Sequence, residues 1–389
     1  MEICKKRIDE IDMAKGLAIL FVFFIHLNEV TGLKWTGSIF ADILFTFPEC
    51  IPILFFICSG YVYREKGSVL YDSIKRIKQL LIPFVGYGLF VTAVYFIKYV
   101  VIDKEPLINL IDNTIANFLG VCCFNIRTGT MMYNQMQYGF VAYWFIREMF
   151  VPYLFFIPIQ KMIVKKSVFT KTFTIFILFL LAFLCNKFDV QDTLKDTFNS
   201  HVSYFIVLIN IFGFTALLLL GNLLKEYNFF DIGSQSKKTR MILASVSLII
   251  AAIILATNNS ANYAFQYGRW GQFKEWSIPI SCLGGLSITY LIVFMFHYLK
   301  QWKGIADVFR FMGKHTLEIL FLHYIIAEII LWINGTWWKI YYEPYPVEKF
   351  TWSNWLTVVI GDALILTAYI FIKDKIKKNL SRNRNKDKG

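Results

Sequence analysis

The chain has 389 residues, of which 57% are hydrophobic, 18% aromatic and only 17% charged. Charged side chains that sparse cannot cover a soluble fold around so much apolar surface, which excludes an aqueous globular protein. The net charge of +13 lies between apolar runs and not in one patch, so membrane topology accounts for it and nucleic-acid binding does not.

The first element begins with a charged head, Arg7 to Lys15, and continues as an apolar run that carries His26 and Glu29 near its far end. The apolar run has no small-residue cleavage site, so it reads as a retained helix and not a signal peptide. At 3.6 residues per turn, Lys15, Ile19, Val22, His26 and Glu29 share one face. The helical rise puts His26 about 20 Å from Met13, in the far third of a bilayer core. An ionisable group at that depth is expensive to bury. It marks a functional site, or a buried histidine bonded to a neighbour.

Further apolar runs follow, giving ten expected spans at about 13–31, 43–63, 80–101, 139–160, 172–186, 202–224, 241–257, 277–299, 315–333 and 353–372. None alternates apolar and polar residues as a barrel strand would, so the spans are helices. Lysine and arginine crowd the N-terminus and alternate connectors: 64–80, 161–171, 225–240, 300–314 and 373–389. By the positive-inside rule those connectors and both termini are cytoplasmic. The expected architecture is an all-α polytopic membrane bundle of about ten transmembrane helices over 1–373, with a basic, disordered cytoplasmic tail at 374–389.

The outer connectors 102–138, 257–276 and 334–352 are rich in aromatic and amide side chains. Such residues stack on sugars, but they also form the interfacial belt that anchors helices. The seven cysteines are scattered, with no Cys-x-x-Cys and no cysteine–histidine spacing, so neither a disulfide framework nor a metal site is expected.

Eight ionisable groups fall inside the spans: His26, Glu29, Arg147, Glu148, Glu318, His323, Glu328 and Asp362. Lipid cannot solvate them, so they face the bundle interior or water. Together they point to a polar interior cavity. The cytoplasmic connector Tyr71-Asp-Ser-Ile-Lys75-Arg76-Ile-Lys78 is basic. It is either a topology signal or an anion clamp gripping phosphates at the membrane surface. The preceding span ends in Ser59-Gly60, small residues that admit either a packed helix or a thin ligand.

Five patterns in this order resemble the acyltransferase family 3 membrane proteins. They are Arg7-Ile-Asp-x-x-Asp12-x-x-Lys15-Gly16 with His26, and Phe55-Phe56-Ile-x-Ser59-Gly60-Tyr61. Then come Lys75-Arg76 before Leu80-Leu-Ile-Pro83, Trp144-Phe145-Ile, and Thr316-Leu317-Glu318-Ile319 with His323. Many members carry two arginines three apart in the third pattern, whereas Gln79 stands three after Arg76 here.

The resemblance implies an integral-membrane O-acyltransferase of the bacterial cytoplasmic membrane. Its donor is a cytoplasmic acyl-CoA such as acetyl-CoA, with no permanently bound cofactor. Its acceptor is an extracytoplasmic glycan or lipid-linked sugar. His26 is then the expected general base, oriented by a carboxylate among Glu29, Glu148 and Glu318. Lys75, Arg76, Lys78 and Ser59 are expected at the donor, and Trp144, Arg147 and His323 at the acceptor. The alternative function is a transporter of a polysaccharide or lipid-linked glycan. The absence of an internal repeat and of matched broken helices weighs against it.

Overall fold

A computed structural model describes residues 8–31, 51–98, 144–188, 208–256, 277–334 and 352–386, with a few isolated positions between 100 and 190. The described residues form only helices and turns. We label them α1 (Asp9–Thr31), α2 (Ile51–Val62), α3 (Val69–Arg76), α4 (Ile82–Lys98), α5 (Trp144–Ile163), α6 (Val168–Lys187) and α7 (Leu208–Glu226). They continue as α8 (Lys237–Ala256), α9 (Ser277–Leu299), α10 (Lys303–Lys314), α11 (Thr316–Ile333) and α12 (Trp352–Lys386). A helix satisfies its backbone internally, which is what an apolar chain in lipid requires. Ser68, Ser167 and Ser236 start helices that begin inside three of the basic connectors, accepting hydrogen bonds from the amides of Tyr71, Thr170 and Thr239.

Each of the ten stretches expected to span contains a helix. Five segments are long and apolar enough to cross by length and composition: Val69–Lys98, Val168–Lys187, Pro279–Leu299, Thr316–Ile333 and Trp352–Leu380. Two expectations change. The short fifth stretch is a full 20-residue helix, α6, capped early by Ser167. The tail expected to be disordered continues α12 to Lys386, because lysine, arginine and asparagine add few penalties to a helix already nucleated. Large apolar side chains stand exposed along one side of several helices, Phe169, Phe173 and Phe176 on α6 and Leu356, Ile360 and Leu364 on α12 among them. A bilayer is the solvent that suits such faces.

The helix α1 is central and packs on α2, α9, α10, α11 and α12. Its charged head is fastened on the side expected to be cytoplasmic. Glu10 accepts from Lys300 at 2.6 Å and lies 3.3 Å from the His297 ring, both on or just after α9. Asp9 pairs with Arg310 of α10 at 3.1 Å. Burial pushes the Glu10 carboxyl up, but its bonds with Lys300, its own backbone and His297 outweigh that and hold it below its ordinary value. This clamp therefore stabilises the fold above the ordinary carboxylate range and is lost as pH falls through the lowered value. A Cβ on Gly313 of α10 would collide with the Asp12 carbonyl. Only glycine lets the two backbones approach so closely. The motif at the start of the chain thus sets where α1 stands.

Candidate functional site

Two histidines set deep in apolar helices meet. His26 Nδ1 of α1 lies 2.8 Å from His323 Nε2 of α11. The ring planes differ by 13° with centroids 5.0 Å apart, as when two rings share a plane and touch edge to edge. His323 Nδ1 lies 2.6 Å from the Ile319 carbonyl, four residues earlier on the same helix. That geometry assigns every proton. A carbonyl only accepts, so His323 Nδ1 carries hydrogen and donates. In the neutral ring His323 Nε2 then has the lone pair and accepts from His26 Nδ1. His26 Nε2 is left with a lone pair and no hydrogen. His323 is fully buried, whereas His26 is partly exposed. Phe23 and Tyr324 line the dyad, with the Tyr324 ring 5.0 Å from the His26 ring.

Along α1 the dyad is about 20 Å from Met13, and along α11 about 10 Å from Thr316, because α10 runs beside the head of α1 and α11 begins farther along it.

The ring partner of His26 is thus a histidine. Glu318, one of the carboxylates expected to orient it, instead binds Lys373 of α12 and lies 3.8 Å from His315. Its place in the first turn of α11 commits it to the end of the bundle. The side chains of Glu29, Trp144, Arg147 and Glu148 lie outside the described residues. His323, expected at the acceptor, is the element that orients His26. The available signal was that these two of the five histidines lie well inside apolar runs.

The basic connector forms a second centre. Its short helix α3 ends at Arg76 and passes through one wide turn, Ile77–Leu81, into α4. Such turns reorient the side chains around them. The Arg76 guanidinium carbon sits 4.2 Å from the centroid of the Tyr153 ring and 5.6 Å from that of Tyr63. Gln79 accepts a 3.2 Å bond from Arg76 Nη1, which orients the fork. The nearby acid Asp72 is taken: Lys161 is 3.2 Å away, and the Tyr63 hydroxyl and the Lys66 amide donate to it. Burial raises the Asp72 carboxyl, but these donors outweigh it and lower it overall. Among the described residues no carboxylate therefore neutralises Arg76. Lys75 is half-buried beside it, and burial, then repulsion from Lys66 and Arg76, pulls its amine below the ordinary value. The local field is positive and would favour an anion. Lys78 is exposed at the same end.

Ser59 stands in the last turn of α2, where the neighbouring Gly60 packs on α7. A Cβ on Gly60 would strike the Leu218 carbonyl, and Asn222 donates to the Gly60 carbonyl at 3.2 Å. The small residues of this motif seat a helix. No group of side chains with metal-ligand character occurs among the described residues.

A family model for an acyltransferase domain matches residues 8–372, nearly the whole chain. No curated protein and no solved structure matches it.

Proposed function

The chain belongs to the acyltransferase family 3 membrane proteins, and on that premise we propose that it moves an acetyl group from cytoplasmic acetyl-CoA to a hydroxyl of an envelope glycan or lipid-linked sugar. The family match selects a transferase of groups other than amino-acyl groups over an exporter. The observation that carries the finer reading is the hydrogen-bond chain Ile319–His323–His26, which leaves His26 Nε2 as a lone pair. A base with that free edge suits removal of a hydroxyl proton near neutral pH.

In the reaction the acceptor O–H bond breaks and its proton passes to His26 Nε2. The oxygen forms a bond to the thioester carbonyl carbon. The C–S bond then breaks, and the thiolate leaves with the proton from His26. Both termini and the basic connectors are cytoplasmic in this reading, by the positive-inside rule. The Arg76 cluster grips the phosphates of the donor, and the thin pantetheine arm reaches into the bundle toward the dyad.

Inverted vesicles of the producing cell should take label from added radiolabelled acetyl-CoA into glycan, and sealed right-side-out vesicles should not. Mass spectrometry of the envelope glycans should find one acyl mass missing when the gene is deleted. An unchanged glycan mass profile would refute the proposed reaction.

The donor end makes its own prediction. Arg76→Ala should raise KM for the acyl-CoA roughly ten-fold or more, since charge-assisted bonds to phosphate are worth about 1.5–3 kcal/mol. Arg76→Lys should recover part of that, as a point charge replaces the fork. Equal donor KM in wild type and both variants would return this connector to a topology signal.

A further inference from the structure

Arg76 is held without being neutralised. A carboxylate beside a guanidinium fixes the fork but also takes its charge and its N–H groups. Here the nearby acid, Asp72, is drawn off by Lys161 at 3.2 Å and by the Tyr63 hydroxyl at 3.2 Å. What lies against Arg76 instead is aromatic, the Tyr153 ring at 4.2 Å and the Tyr63 ring at 5.6 Å. An aromatic face attracts a cation through its quadrupole and leaves the charge in place. A guanidinium supported in this way keeps N–H groups of its fork available for an anion.

The nearer ring is firmly anchored. Tyr153 is only 2% exposed, whereas Arg76 is partly exposed. The Tyr153 ring meets Phe156 edge to face at 5.7 Å, and Phe156 meets Tyr63 edge to face at 4.8 Å. The three rings form one block beside the guanidinium. The backbone that carries Tyr153 is tied down as well. Pro152 removes one hydrogen bond from the ladder of α5, and the Thr215 hydroxyl of α7 donates to its carbonyl at 3.3 Å. The helix α5 packs on both α3 and the wide turn that follows Arg76. About two turns after Tyr153 on the same helix, Lys161 occupies Asp72. One helix therefore supports the guanidinium and also engages the acid that would compete for it.

We propose that Tyr153 is a positioning residue for the donor, its ring holding the Arg76 guanidinium in place, charged and with its fork open, for a phosphate of the acyl-CoA. The inference rests on Arg76 as the phosphate clamp of the proposed function. Tyr153 acts through Arg76 and takes no part at the histidine dyad. A long side chain already fixed loses less conformational freedom when it captures an anion. Without the ring, the fork is free to move or to turn toward Asp72. The effect falls on donor affinity and not on the chemical step.

The test is donor KM and kcat for acetyl transfer from radiolabelled acetyl-CoA, in inverted vesicles carrying the full-length protein and the cell's own acceptor. Tyr153→Leu and Tyr153→Met lack a ring. Each should raise donor KM roughly three- to ten-fold and leave kcat within about two-fold. Tyr153→Phe keeps the ring and should stay within about two-fold of the wild-type KM. In an Arg76→Ala background Tyr153→Leu should add almost nothing, because the ring acts only through the guanidinium. Unchanged donor KM in both ringless variants overturns the proposal. A Tyr153→Phe protein as weak as Tyr153→Leu does so too, since the hydroxyl would then be responsible. A full further rise in the Arg76→Ala background places the action of the ring elsewhere and overturns it as well. Failure of both ringless variants to insert and fold has the same consequence, because the ring would then serve the fold. An Arg76→Ala protein with the wild-type donor KM would sink the clamp itself. A raised KM in Arg76→Ala with an unmoved KM in Tyr153→Leu would sink only the support.

Discussion

His26→Gln is expected to lower acyl transfer by roughly 10²–10⁴-fold while insertion, yield and donor affinity stay unchanged. Glutamine fills similar space and can still donate to His323 Nε2, so the contact between α1 and α11 survives. It cannot take a proton near neutral pH, so the chemical step loses its base. Donor affinity should be retained, because the proposed function assigns donor binding to the Arg76 cluster, which shares no residue with the dyad. His26→Ala should be at least as inactive, and it also removes the ring that packs on Tyr324. Labelled acetyl transfer and donor KM, measured on protein of verified yield, read both effects. Near-normal transfer by a stable His26→Gln protein would make this histidine a packing residue.

His323→Leu is expected to cost roughly 10²–10³-fold in kcat, somewhat less than losing the orienting residue of a hydrolase triad. Leucine keeps the volume but offers no lone pair to His26 Nδ1. The His26 ring then favours neither tautomer, and a buried N–H loses its partner. The donor KM should stay near the wild-type value, because the change acts only through the base. His323→Gln provides the internal control. Its amide oxygen can accept from His26 Nδ1, so it should recover roughly ten-fold of the loss relative to leucine. A structural role would give the opposite pattern, with leucine well tolerated in an apolar helix and glutamine damaging. Equal activity in wild type and His323→Leu would leave His26 without an orienting partner.

The sequence determined the helical class and located a helix in each of the ten apolar stretches, because lipid leaves an apolar chain no other way to satisfy its backbone, whereas α3 and α10 lie in stretches read as connectors. It also singled out His26 and His323, since ionisable groups inside apolar runs are costly wherever the helices end up. The small residues of the Ser59-Gly60 motif and the acids of the first nine-residue head could be located but not assigned. Packing of Gly60 on α7 and the bonds of Glu10 to Lys300 and His297 exist only when distant segments meet. The orienting partner of His26 was equally out of reach. A carboxylate was expected from charge chemistry alone, but His323 is 297 positions away, and only the parallel packing of α1 and α11 brings the rings together. The Ile319 carbonyl that fixes both tautomers is invisible in a sequence, because every residue has such a group and only the helix aims this one. Tertiary structure likewise took Glu318 from the dyad and gave it to Lys373, since its turn of α11 opens toward the end of α12 and not toward α1.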